Sequence, residues 1–174
     1  MLFRSLTLRV NMRKTTLQDY SNLLVQAGFR PQPVGPGALS LERSAPVTQL
    51  PRFSDGWVSV QDAAAQLAAP LLVSALAQPD GARVLDACAA PGGKTAHLLE
   101  LANLDVLALD VDPVRCERIQ DTLKRLGLAA QVRAADALRL DDWWDGNLFD
   151  GVLLDAPCSA SGIVRRHQIG RAHV

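Results

Sequence analysis

The sequence predicts an α/β protein: a parallel, doubly wound sheet cut short at four strands, preceded by a small α+β unit. Three observations predict it. The run Leu85-Asp86-Ala87-Cys88-Ala89-Ala90-Pro91-Gly92-Gly93-Lys94-Thr95 reads as strand, glycine turn and helix start, which is how such domains build a nucleotide-type site. Short apolar segments then recur, separated by helical or loop stretches, as a parallel sheet with crossovers requires. Finally, Asp110, Asp136 and Asp155 each follow one of those segments, at the sheet end where ligands bind.

The elements follow in order. Leu6 to Asn11 alternates apolar and polar and predicts a strand. Thr16 caps a helix reaching about Ala27, with Leu17, Tyr20, Leu23 and Leu24 on one face and Gly28 ending it. Pro31 to Gly37 reads as a proline- and glycine-rich loop. Ala38 to Glu42 is a second strand, so residues 6–50 form a strand–helix–strand unit. Val58 to Val60 is a further short strand, and Asp62 opens an alanine-rich helix to about Gln78. The parallel strands are then Val84–Ala87, Val106–Leu109, Gln131–Ala134 and Val152–Leu154. Pro113 sits in the first turn of a helix that runs to Leu126 before Gly127. Trp143 and Trp144 are expected to pack beneath the loop before the last strand.

The totals exclude several classes. Eighteen basic and eighteen acidic residues cancel, so net charge offers no argument for a nucleic-acid partner, although a local patch is compatible with one. No apolar run approaches membrane length. Cys88, Cys116 and Cys158 are odd in number and lack metal spacing, which argues against a disulfide framework or a zinc site and for a reduced, cytoplasmic setting. The ends read as foreign. Residues 1–5 and 169–174 back-translate to the two orientations of a common sequencing adapter, with Gln168 as a hybrid codon. The native segment is therefore expected to be residues 6–167, with 168–174 as the second tail.

Two phosphate-binding readings fail on spacing. Gly93-Lys94-Thr95 matches the end of a P-loop, but Cys88 stands where its first glycine belongs. The dinucleotide fingerprint needs separated glycines, whereas Gly92 and Gly93 are adjacent. S-adenosylmethionine carries no phosphate. A glycine turn with Asp110 about twenty residues on, placed to accept from ribose hydroxyls, suits it better.

Asp155-Ala156-Pro157-Cys158-Ser159-Ala160-Ser161-Gly162 supplies a second motif. Together with Cys88–Lys94 and Asp110, it resembles the RNA cytosine-5 methyltransferases, and within them the bacterial small-subunit rRNA methyltransferase B (Sun) group. Leu8-Arg9-Val10-Asn11, Asp55 to Asp62, Lys124-Arg125-Leu126-Gly127 and Arg165-Arg166-His167 extend the likeness over residues 6–167. The resemblance implies a Rossmann-like class I S-adenosylmethionine-dependent methyltransferase domain, truncated, over residues 51–167. It makes residues 6–50 a small RNA-binding α+β subdomain and gives a cytoplasmic, metal-free enzyme of rRNA processing whose partner is RNA.

The residue roles follow from the same resemblance. Cys88, Ala89, Ala90, Pro91, Gly92, Gly93, Lys94, Asp110, Asp136 and Asp155 are the cofactor set, with Asp136 toward the adenine. In the family a cysteine thiolate adds to C6 of cytosine, C5 becomes nucleophilic and takes the methyl group, and loss of the C5 proton expels the enzyme. Asp155 corresponds to the acid at N3 and Cys158 to the cysteine that assists product release. The nucleophile belongs to a Thr-Cys-Ser motif that does not occur in these 174 residues, so this segment by itself is expected to be inactive. Cys116 is expected to be helix filler and Cys88 to shape the turn. Arg165 and Arg166 fit RNA phosphates and a solvated loop pair about equally. A tRNA cytosine as target, or a non-catalytic RNA- or cofactor-binding remnant, are the alternative functions.

Overall fold

A computed structural model describes residues 6–156. The expectations for both tails, Cys158, Arg165 and Arg166 concern residues outside that range. The first unit comprises β1 (Leu6–Val10), α1 (Leu17–Gln26), β2 (Pro31–Gly35), β3 (Ala38–Leu41) and β4 (Val58–Val60). Its strands form an antiparallel sheet in the order β2-β3-β1-β4. Alternation along β1 sends Leu8 and Val10 to a core with Tyr20 and Leu24 of α1, Leu39, Leu41 and Val58. Thr16 caps α1 as expected, its Oγ1 accepting from Asp19 N at 3.1 Å.

Two expectations change here. The segment read as a loop, Pro31 to Gly35, is a strand. It is an edge strand with an irregular register between Pro33 and Gly35, the place where prolines, which lack an N–H, fit a sheet. β4 hydrogen-bonds to β1, so the sheet continues past the boundary placed near residue 50.

The second unit runs from α2 (Ala68–Ala75) through β5 (Arg83–Ala87), α3 (Gly93–Leu101), β6 (Asp105–Asp110), α4 (Pro113–Leu126) and β7 (Gln131–Ala134) to β8 (Gly151–Leu154). Its four strands are parallel in the order β7-β6-β5-β8. The helix expected over residues 62–78 is shorter, with a 3-10 turn at Ala65–Leu67 before α2. Pro70 accounts for the late start, because proline is accommodated in a first helical turn and not in an interior. The other elements stand within about a residue or two of their expected positions, which is the ordinary uncertainty of helix and strand ends.

The faces of this sheet differ. Val84, Val106 and Ala108 pack under Ala69, Leu98, Ile119, Leu123 and Leu126 of the three helices. Leu85, Ala87, Leu107 and Leu109 meet Trp143 and Phe149 from the β7–β8 connection. Trp143 is 5% exposed, as expected for a residue under that loop, whereas Trp144 is 40% exposed and lies at the surface. That connection carries no α-helix. Val152 and Leu154 pair with Leu85 and Ala87 and so share the Trp143 face, yet they are 55% and 64% exposed.

The polar face of the first sheet is the seam to the second unit. Arg9 alternates away from α1 and makes a bidentate pair with Glu100 of α3, both N–O distances being 3.0 Å. Arg13 Nε donates to Glu100 O at 2.8 Å, and Arg125 Nη1 donates to Phe53 O at 2.7 Å and Val58 O at 3.1 Å. His97, buried near Arg9, is held neutral: burial and that charge lower its pKa to about 3.

Gly92 joins turn to helix at a φ of +91°, and a Cβ there would lie 3.1 Å from Ile119 Cα. Gly81 has a φ of +82° and open space around it. Gly81→Ala should therefore cost only the left-handed penalty, about 1–2 kcal/mol, and Gly92→Ala a further ~1–3 kcal/mol for crowding the backbone of α4. Urea unfolding of the two variants checks this; equal losses would show that the turn is not wedged against α4.

Candidate active-site cleft

β5 and β8 are neighbours in the sheet but far apart in sequence, so the connections diverge to either side of their carboxyl ends. That divergence opens the crevice in which α/β sheets bind ligands. A cleft of about 170 Å³ occupies it, lined by Val60, Gln61 and Ala65 on one side, by Asp86 and the turn residues Cys88, Ala89, Ala90, Pro91, Gly93 and Lys94 on the other, and by Asp155.

The turn is fixed from several directions. Cys88 adopts a φ of +62°, uncommon for a residue with a Cβ and characteristic of functional turns. Ala89 N donates to Leu109 O at 2.8 Å and Gly92 N to Ala89 O at 2.7 Å. Thr122 of α4 donates to Pro91 O at 2.8 Å. Asp110, at the end of β6 and 3% exposed, accepts from Ala90 N at 3.3 Å and from Asp112 N at 3.2 Å, and pairs with Arg115 at 3.4 Å. It braces the turn from the neighbouring strand.

Lys94 Nζ forms an ion pair with Asp155 Oδ2 across the cleft. The two motifs singled out in the sequence, one after β5 and one after β8, are thus joined by a direct contact. Asp136 stands apart. It follows β7, does not line this cleft, and its Oδ1 accepts from Leu138 N at 3.0 Å in a turn.

Asp86 is the residue that sequence reasoning missed. It is 1% exposed; Oδ2 accepts from Thr95 Oγ1 at 2.5 Å, while Oδ1 has no partner among the described residues. Burial pushes its carboxyl up to about 6, against the opposing pull of the Thr95 hydrogen bond and Lys94. A half-satisfied carboxylate beside a cleft is an acceptor for a cationic or hydrogen-bond-donating ligand. The available signal was an acid inside the apolar run Val84-Leu85-Asp86-Ala87.

Neither described thiol is activated. Burial raises the pKa of Cys88, with Asp110 adding to the effect, and burial does the same to Cys116. Both stay in the unreactive thiol form at neutral pH. Cys116 is a buried residue of α4 whose Sγ meets Asp110 O at 3.6 Å. No metal-binding cluster occurs among the described residues, and no described helix is long and apolar enough to cross a membrane.

The Asp86 carboxyl has a definite consequence for stability. Its folded pKa lies above the unfolded value, so between about pH 4 and 6 the folded state holds a proton that the unfolded state has lost. Its contribution to stability therefore grows as pH falls from 7 toward 4, with a slope of at most about 1.4 kcal/mol per pH unit. Because His97, with its pKa lowered to about 3, contributes the opposite slope over the same range, the limb is read as the difference between the urea-unfolding profiles of the native sequence and Asp86→Asn, which should change steadily as pH falls from 7 toward 4. Superimposable profiles would mean that Asp86 is already stabilised as the anion.

Known proteins resemble this chain in sequence and fold. The family model described as 16S rRNA methyltransferase RsmB/F matches residues 73–172. Ribosomal RNA small subunit methyltransferase B of Vibrio cholerae is 51% identical over 163 residues, covering 92% of this chain and 37% of the relative. The Salmonella arizonae protein of the same name gives the same identity and coverage. The chain thus spans little more than a third of the length of these curated relatives. Among solved structures, a methyltransferase homologue from Pyrococcus horikoshii superimposes with a TM-score of 0.78 at 30% identity, over 97% of this chain and 55% of that one. NSun6 from the same organism shares the fold with a TM-score of 0.76 at 19% identity, over 90% of this chain and 64% of that one. The turn after β5 lies inside the matched span, and so does the acid after β8 that pairs with it; the chain belongs to the RsmB/F family of 16S rRNA methyltransferases.

Proposed function

We propose that the cleft binds S-adenosylmethionine and that the whole protein uses it to methylate C5 of a cytosine in 16S rRNA. The observation that carries the reading is the half-satisfied Asp86 carboxylate, buried beside a turn that Asp110 braces and facing the Lys94–Asp155 pair. The bound cofactor supplies an electrophilic methyl group on a sulfonium. A cation-bearing, phosphate-free ligand fits this lining: Asp86 and Asp155 make it acidic, and the turn offers close backbone approach without a phosphate cradle.

Each residue then has a task. Cys88 to Lys94 form the wall of the cofactor site, Asp110 orders that wall from behind through Ala90 N, and Asp136, outside the cleft, extends the site toward the adenine. Asp155 meets N3 of the target base, with Lys94 holding the carboxylate in place. Cys158, three residues further along, assists product release. The base must leave its stack to reach a recess of this kind. Residues 6–50 serve the RNA, and the names of the relatives favour rRNA over tRNA as the target.

Two measurements test the reading. Calorimetry should detect S-adenosylhomocysteine binding to the chain, with Asp110→Asn weakening it about tenfold, the scale of one or two hydrogen bonds to a charged acceptor. No heat of binding with the native sequence would reject the cofactor assignment. In a methylation assay on 16S rRNA, the 174-residue chain should yield no 5-methylcytosine, because it has no Thr-Cys-Ser motif, and a protein of the relatives' full length should yield it. Product from the short chain would reject the placement of the nucleophile.

A further inference from the structure

The side of the cleft opposite the glycine turn is built by the first unit, and its polar member is Gln61. This residue is anchored more firmly than a surface glutamine. Its N–H donates to Thr7 O at 3.1 Å, its carbonyl accepts from Gln66 Nε2 at 3.0 Å, and its side-chain Oε1 accepts from Arg9 Nη1. The same Arg9 nitrogen donates to Gly93 O at 2.8 Å. Arg9 is 2% exposed and locked to Glu100, so it does not swing away.

The orientation of the Gln61 amide follows from chemistry. An arginine side chain has only donors, so the atom facing it must be the oxygen. The Nε2 group is thereby turned toward the turn. A Cβ built on Gly93 would lie 3.8 Å from it. A guanidinium on the oxygen also polarises the amide and strengthens its N–H as a donor.

The cleft is otherwise acidic, with Asp86 and Asp155 in its lining. Its lysine is already paired with Asp155. Such a set suits the cationic part of an amino acid and leaves its carboxylate to be met by a donor. We infer that Gln61 is a ligand-contacting residue, its Nε2–H donating to the carboxylate at the amino-acid end of the methyl donor, with Arg9 as the positioning residue behind it. This inference rests on the cofactor reading above.

Gln61→Glu separates this role from a structural one. It keeps an acceptor for Arg9 and nearly the same shape, but removes the N–H. Calorimetry should compare S-adenosylhomocysteine with 5′-deoxy-5′-methylthioadenosine, which shares the nucleoside and thioether but lacks the amino-acid end. The expected result is at least a tenfold loss for the first ligand, an unchanged affinity for the second, and a melting temperature within about two degrees of the native chain. Should Gln61→Glu fail to fold, Gln61→Met must show the same selective loss. Equal weakening of both ligands, or native affinity for both, overturns the assignment of Gln61 alone. Failure of the native chain to bind either ligand overturns the cofactor reading and this inference with it.

Discussion

Arg9 is the point on which the two halves of the structure depend. Strand alternation sends Leu8 and Val10 to one side of β1 and Arg9 to the other, so a single strand serves an apolar core and a charged seam. The guanidinium is almost wholly removed from water, which is tolerable only because Glu100 meets it with two oxygens and Gly93 and Gln61 take further N–H groups. Removing one partner from such a buried pair typically costs about 3–5 kcal/mol, because the other charge is left without compensation. The same guanidinium holds both sides of the cleft, Gly93 on the turn and Gln61 opposite. The first unit is therefore part of the site's frame as well as its neighbour. Arg13 and Arg125 repeat the device by donating to backbone carbonyls across the seam.

The parts of the fold legible in the sequence were those decided locally. Thr16, Gly28, Pro113 and Gly127 are start and stop signals whose geometry depends on a few adjacent residues, and the helices begin and end at them. The glycine turn was equally plain, since adjacent Gly92 and Gly93 after a short apolar strand permit few alternatives. What failed was set at a distance. Pro31 to Gly35 has loop composition, and it is a strand because β3 offers it an edge. β4 belongs with β1, a pairing between segments nearly fifty residues apart. The alanine-rich stretch after Asp62 reads as one helix until Pro70 is placed in its first turn.

The same division runs through the site. Asp110, Asp136 and Asp155 were singled out because an acid at the end of an apolar strand is visible in one dimension; of the three, Asp155 lines the cleft, Asp110 braces its turn and Asp136 stands apart. Asp86 was passed over because it lies within its strand, where burial rather than position makes it unusual. Gln61 was invisible for a stronger reason. Its orientation depends on Arg9, fifty-two residues earlier, and no local pattern encodes that contact.

The charges around the cleft are handled unequally, and the inequality bears on the chemistry. Asp110 is spent on Ala90 N, Asp112 N and Arg115 and Asp155 on Lys94, whereas Asp86 has a buried oxygen with no partner among the described residues. Cys88 sits among these acids, and both burial and the nearby Asp110 charge hold it as a thiol. If the cleft holds the electrophilic methyl group proposed above, that state is protective. A thiolate in the turn would compete with the substrate for the methyl, and thiolates rather than thiols are the nucleophiles. The arrangement that draws a cation into the cleft is thus the one that keeps its own cysteine unreactive, because a field of carboxylates favours a bound positive charge and disfavours a negative sulfur. On the proposed reading, a cysteine that attacks the base would therefore have to come from outside this field of carboxylates.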